Sequence, residues 1–142
     1  MNRTKIFFYI LLLTFFYSKT LQANNDYFLQ GKKLYSQKKF IESKYKFEKD
    51  IVFNPKNEKS YLYLAKIFKE QKNDTLEEQN LNTVILLNPI NEEALFLLTL
   101  LQIKKSDYEK SKKLIETFDK VCVKICDKKN ELNNKLKDLE LK

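Results

Sequence analysis

The chain contains no histidine. That removes imidazole from every catalytic and metal-binding role and excludes Ser-His-Asp and Cys-His nucleophile systems, His-containing zinc sites and c-type haem attachment. Glycine occurs once and proline twice, too little turn-forming material for an all-β fold. Arginine occurs once, as Arg3, so the formal charge of +8 is almost entirely lysine. Base-edge readout and bidentate phosphate clamps favour the rigid guanidinium fork. Here the lysines are point charges spread among 19 acids, and no nucleic-acid partner is expected. Nothing points to a small-molecule substrate, a cofactor or a metal.

Met1 to Lys5 is a short basic segment, followed by an apolar run of twelve residues from Ile6 to Tyr17. As a helix these rise about 18 Å, short of the ~30 Å hydrocarbon core. The pattern is that of a secretory leader, residues 1–23, with cleavage expected after Ala23. Leu21 stands where a second small residue is preferred, and the competing reading is an uncleaved N-terminal anchor. No cysteine follows the apolar run to accept a lipid. Removal of 23 residues leaves 119, one modest domain, with 24 basic against 19 acidic side chains.

Two Asn-Pro pairs, Asn54-Pro55 and Asn88-Pro89, lie 34 residues apart. The same period aligns Tyr27, Tyr61 and Leu95; Gly31, Ala65 and Thr99; Leu34 and Phe68; and Phe47, Leu81 and Ile115. Each unit holds two helical stretches, about 26–37 with 40–53, 58–71 with 75–87, and 92–105 with 107–124. Thr75 to Glu78 and Ser106 to Glu109 have capping-box spacing at two helix starts. The residue before each proline is pushed out of the helical region and ends a helix.

This arrangement resembles the tetratricopeptide repeat family of 34-residue helix-turn-helix units. The resemblance covers 24–125, as units 24–57, 58–91 and 92–125. It implies an all-α fold, an α-solenoid of three such repeats, closed by a C-terminal capping helix at 126–142. Departures stand in the second helices, where the family favours small residues: Glu77 beside Ser43 and Ser111, then Asp50 and Phe118. Glu77 implies a late start or a register shift in the middle unit.

Stacked units share one core, expected along Tyr27, Gly31, Leu34, Tyr61, Leu64, Ala65, Phe68, Leu95 and Leu98. Leu132, Leu136 and Leu139 give the capping helix one apolar face. The resemblance implies a concave groove for a protein segment, on the face of the first helices that the core does not use. Its columns are Phe28, Lys32 and Tyr35; Leu62, Lys66 and Lys69; and Phe96, Leu100 and Ile103. Residues 94–103 are apolar on nearly every side, so that stretch is either buried all round, used in a homodimer, or a partner site. The capping helix is expected to leave the groove open. An acidic, apolar segment of another protein is the expected ligand. The family's two-carboxylate clamp is not carried over, because no arginine is present in the groove.

Cys122 and Cys126 are the only cysteines. In an exported chain they pair, and a bond across four residues requires the helix to break between them. Free buried thiols and a redox-active pair remain as alternatives, although the C-x-x-C spacing is lacking. The resulting expectation is a non-catalytic adaptor of the bacterial cell envelope, periplasmic if the leader is cleaved and membrane-tethered if it is not. A thiol-disulfide protein is the alternative from another class.

Overall fold

The computed structural model describes residues 26–140; the leader and its cleavage site lie outside them. The described residues form seven α-helices: α1 Tyr27–Ser36, α2 Phe40–Phe53, α3 Glu58–Glu70, α4 Asp74–Leu87, α5 Glu92–Lys104, α6 Tyr108–Val121 and α7 Lys129–Glu140, with a 3-10 turn Cys126–Lys128 before the last. Each helix packs on the next, and the three pairs stack in sequence. The result is an α-solenoid of three helix-turn-helix units with a seventh helix on its end.

The 34-residue period is visible in the backbone as well as in the side chains. Lys38, Lys72 and Ser106 adopt φ of 59°, 56° and 60°, the left-handed conformation that closes each first helix. The next residue's N–H reaches back to the helix carbonyl in all three units: Lys39 to Leu34 at 3.0 Å, Asn73 to Phe68 at 2.9 Å and Asp107 to Gln102 at 3.0 Å. This bond satisfies a carbonyl that the helix end would otherwise orphan. The second helices of the first two units end alike, with Asn54 N–H on Asp50 and Asn88 N–H on Val84, each at 2.7 Å.

Helix starts differ from the capping-box expectation. Asn73 caps α4 by accepting from Leu76 N–H at 3.1 Å, two residues earlier than Thr75. Asp107 caps α6 by accepting from Lys110 N–H at 3.0 Å, while Ser106 is the left-handed turn residue. In both places a single Asx side chain performs the cap, so the glutamate three residues on is not needed. Asp26 and Asn91 cap α1 and α5 in the same way. The helix α6 stops at Val121 rather than near Lys124, because Cys122 is extended at φ −65°, ψ 137°.

Close approach of paired helices explains the small-residue columns. Gly31, Ala65 and Thr99 are buried, as are Ser43, Glu77 and Ser111 opposite them. Ser43 Oγ donates to the Gly31 carbonyl at 2.9 Å, binding α2 to α1. The middle unit shows no register shift: Glu77 occupies the column position itself. Burial raises its pKa, and Lys69 pulls only partly in the other direction.

Asp50 is the second departure that the structure accounts for. It is buried and accepts from Asn57 Nδ2 and Ser60 Oγ, each at 2.6 Å, and from Asn54 Nδ2 at 3.1 Å. Two of its donors belong to the junction with the second unit, so the carboxylate ties α2 to the start of α3. Phe118 fills the corresponding place in the third unit, fully buried against Leu95, Ile115 and Leu132.

Between units, α3 presents Ser60, Leu64 and Ile67 to the preceding pair, and α5 presents Ala94, Leu98 and Leu101; all six are buried. The matching positions of α1 are Asp26, Gln30 and Lys33, none of them buried. The corresponding side of α1 therefore presents polar residues, unlike the apolar sides of α3 and α5.

Candidate functional site

The inner face is built by the first helices α1, α3 and α5. Aromatic contacts join the first two. Tyr63 on α3 lies 5.1 Å from Tyr35 and 5.9 Å from Phe28, both edge-on, and stacks on Phe47 at 4.9 Å, ring centre to ring centre. Phe28, Tyr35 and Tyr63 are half-buried, each packed on the core below. Two lysines stand against them. Lys32 Nζ lies 5.7 Å from the Phe28 ring and Lys66 Nζ 4.9 Å from the Tyr63 ring, within cation–π range. Lys69 is exposed.

Several expected groove residues take different places. Leu62 is only 7% exposed and belongs to the core with Ala65, Leu81 and Ala94. It is not a groove anchor; Tyr63, one residue on, faces the groove instead. Lys66 is not free, because its amine pairs with Glu93 at 2.6 Å. Lys32 and Lys69 form no ion pair among the described residues.

The third column is largely covered. The helix α7 lies on α5 and α6, and Phe96 and Leu100 pack with Leu132 and Leu136. Lys128 Nζ rests 5.8 Å from the Phe96 ring. Ile103 and Leu100 line a cleft of about 470 Å³ whose other wall is Glu131, Lys135, Asp138 and Leu139. The capping helix thus closes this end of the groove rather than leaving it open. It also accounts for the all-round apolarity of 94–103: α5 is enclosed by α4, α6 and α7, and the face offered for a homodimer has an intramolecular cover. A leucine-spaced helix following a solenoid covers the last pair's exposed side, and here that side includes Phe96.

The cover is anchored at its root. Cys122 and Cys126 are bonded, with Cα atoms 5.3 Å apart, and the helix breaks at Cys122 to permit it. Lys124 and Ile125, inside the five-residue ring, each donate a backbone N–H to Glu92 Oε2 at 2.9 Å. The Ile125 bond first, then those of its neighbours, hold the Glu92 pKa below its ordinary value. This carboxylate at the start of α5 fixes the loop that leads into α7. Neither the Glu92 contact nor Tyr63 was named from sequence. Tyr63 had one available signal, its spacing of three before Lys66 and four after Lys59.

A further ionic seam joins the second and third units. Lys104 pairs with Asp74 at 2.6 Å, and Lys105 and Lys110 both pair with Glu78. Among the described residues no group of three or more Cys, Asp or Glu is placed to hold a metal ion. No described helix is long and apolar enough to cross a membrane.

No family model matches the chain, and no curated protein matches it in sequence. Solved structures do match in fold. The first tetratricopeptide repeat domain of Spaghetti (RPAP3), bound to the HSP90 peptide SRMEEVD, superposes with a TM-score of 0.71 at 19% identity, over 81% of this chain and 94% of that one. The TPR2B domain of yeast Sti1, in a complex with an Hsp70 species, gives 0.71 at 14% identity, over 80% and 94%. The fold is that of a three-unit tetratricopeptide repeat domain.

Proposed function

We propose that this protein is a non-catalytic adaptor that holds a segment of another protein against α1 and α3, and that it does so in the bacterial cell envelope. The observation that carries the binding site is the Phe28–Tyr35–Tyr63 floor with the Lys32 amine against its Phe28 ring. Half-buried rings offer apolar area at low entropic cost, and the Lys32 amine favours an acidic residue beside the partner's anchors. The two structures similar in fold were solved in complexes, one with an acidic peptide and one with an Hsp70 species, which supports the same use of the face here. Placement in the envelope rests on the basic start and twelve-residue apolar run of the leader and on the paired cysteines.

Apolar contact supplies most of the affinity, at about 25 cal/mol per Å² of buried surface, and the lysines add steering that salt weakens. Panning a random peptide library against the protein tests this reading. Enriched sequences are expected to combine aromatic or aliphatic anchors with Asp or Glu, and to lose binding on Tyr63→Ala. Enrichment unaffected by Tyr63→Ala and Tyr35→Ala would remove the groove from the account.

A further inference from the structure

The outer face of the first unit carries a surface that the groove does not use. On α2, Ile41 is 75% exposed, Tyr45 53% and Val52 74%. Their spacing of four and seven places them on one stripe of the helix. Phe53, 68% exposed, flanks that stripe and stacks on Tyr27 at 5.7 Å. The other units do not repeat it: the matching residues are Thr75, Gln79 and Leu86, then Glu109, Lys113 and Lys120. The stripe is therefore a property of this unit and not of the repeat.

Its charge is mainly basic. Lys49 Nζ lies 4.7 Å from the Tyr45 ring and 5.5 Å from the Tyr27 ring, and Lys46 Nζ 5.7 Å from Tyr27. Neither forms an ion pair among the described residues. Lys38, Lys39 and Lys56 stand exposed at the two ends of the helix. Against them, Glu42 is exposed, and Glu48, on the stripe between Tyr45 and Val52, is engaged with Lys44 at 3.9 Å. Aliphatic and aromatic side chains ringed by lysine amines match the depth profile of an anionic bilayer interface. There, rings and aliphatic groups enter the headgroup boundary while the amines stay at phosphate level.

Where the N-terminal segment is kept as an anchor, the chain's own course brings that surface to a membrane. The apolar run ends at Tyr17, and residues 18–25 separate it from Asp26, a reach of at most about 28 Å. The entry point is Tyr27, itself part of the patch.

We infer that α2 of the first unit docks on an anionic phospholipid surface through Ile41, Tyr45 and Val52, held by Lys46 and Lys49. Docking leaves the face lined by α1 and α3 available for a protein segment.

The chain contains no tryptophan, so Tyr45→Trp introduces a single tryptophan, excited selectively at its red edge, on the stripe, and Lys113→Trp places one at the matching position of the third unit. Each full-length variant is mixed with phosphatidylcholine–phosphatidylglycerol vesicles carrying brominated acyl chains, and with phosphatidylcholine vesicles alone. The Tyr45→Trp protein is expected to shift to the blue and be quenched on the anionic vesicles, with weaker quenching on the neutral ones. The Lys113→Trp protein stays unquenched. Adding Lys46→Ala or Lys49→Ala lowers the docked-to-undocked ratio roughly fivefold per lysine. Equal quenching at both positions, or none at Tyr45→Trp, would overturn the inference. So would a blue shift that depends on protein concentration without lipid, since the patch would then be a contact between copies.

Discussion

A methyl group added to Gly31 would sit 2.7 Å from Cε1 of Phe47. The ring cannot retreat, because Phe47 is fully buried and stacked on Tyr63. Gly31→Ala is accordingly expected to destabilise the protein by about 1 to 3 kcal/mol, despite the better helix propensity of alanine. Urea denaturation checks this, and a stabilised Gly31→Ala protein would show that α1 and α2 are less closely apposed.

Lys72 pays a steric cost at φ 56° that glycine avoids. Lys72→Gly is expected to raise stability by about 1 kcal/mol, with Lys38→Gly acting similarly. A lower urea midpoint in both variants would contradict the left-handed turns.

The two acids of the middle unit respond to pH with opposite signs. Hydrogen bonds from Lys105, then Lys110, hold the Glu78 pKa down to about 2 from 4.5. Its contribution is complete above pH 4.5 and is lost as pH falls toward 2. Burial raises the Glu77 pKa instead, so its charged form costs stability at neutral pH, and that cost fades as pH drops through the raised value. Glu78→Gln is expected to lower stability at neutral pH by about 1 kcal/mol or less and to flatten the acid limb. Glu77→Ala is expected to raise it by about 1 kcal/mol. Thermal melts between neutral pH and pH about 3 separate the two.

Replacing both Cys122 and Cys126 by serine is expected to cost no more than about 2 to 3 kcal/mol, since the closed loop is short. Amide exchange should quicken in α7 before it does in α1 to α4. Uniform exchange in all helices would show that the loop does not anchor the cover.

Most of the fold was legible because it is periodic. The Asn-Pro stops, the Gly31–Ala65–Thr99 column and the Phe47–Leu81–Ile115 column recur at one spacing, and local rules for helix ends fixed the rest to within a few residues. The groove was less legible because facing is decided by packing between units. Leu62 and Tyr63 are adjacent in sequence, and either suits a groove column until the third and fourth helices bury one of them. The cover over Phe96 and Leu100 depends on where α6 stops. That point is set by the Cys122–Cys126 bond and the Glu92 contact, both of them products of tertiary structure. Glu77 looked like a register shift because a carboxylate in a small-residue column breaks the pattern. The column tolerates it, with a raised pKa as the consequence.

The most direct test of the adaptor reading is photo-crosslinking in cells from p-benzoylphenylalanine placed at Tyr35 and, in parallel, at Lys113. The account expects one discrete adduct of defined mass from Tyr35, abolished by Tyr63→Ala in a protein that still folds, and none of that mass from Lys113. The same adducts from both positions, or a Tyr35 adduct indifferent to Tyr63→Ala, would show that the aromatic floor of α1 and α3 does not hold a partner.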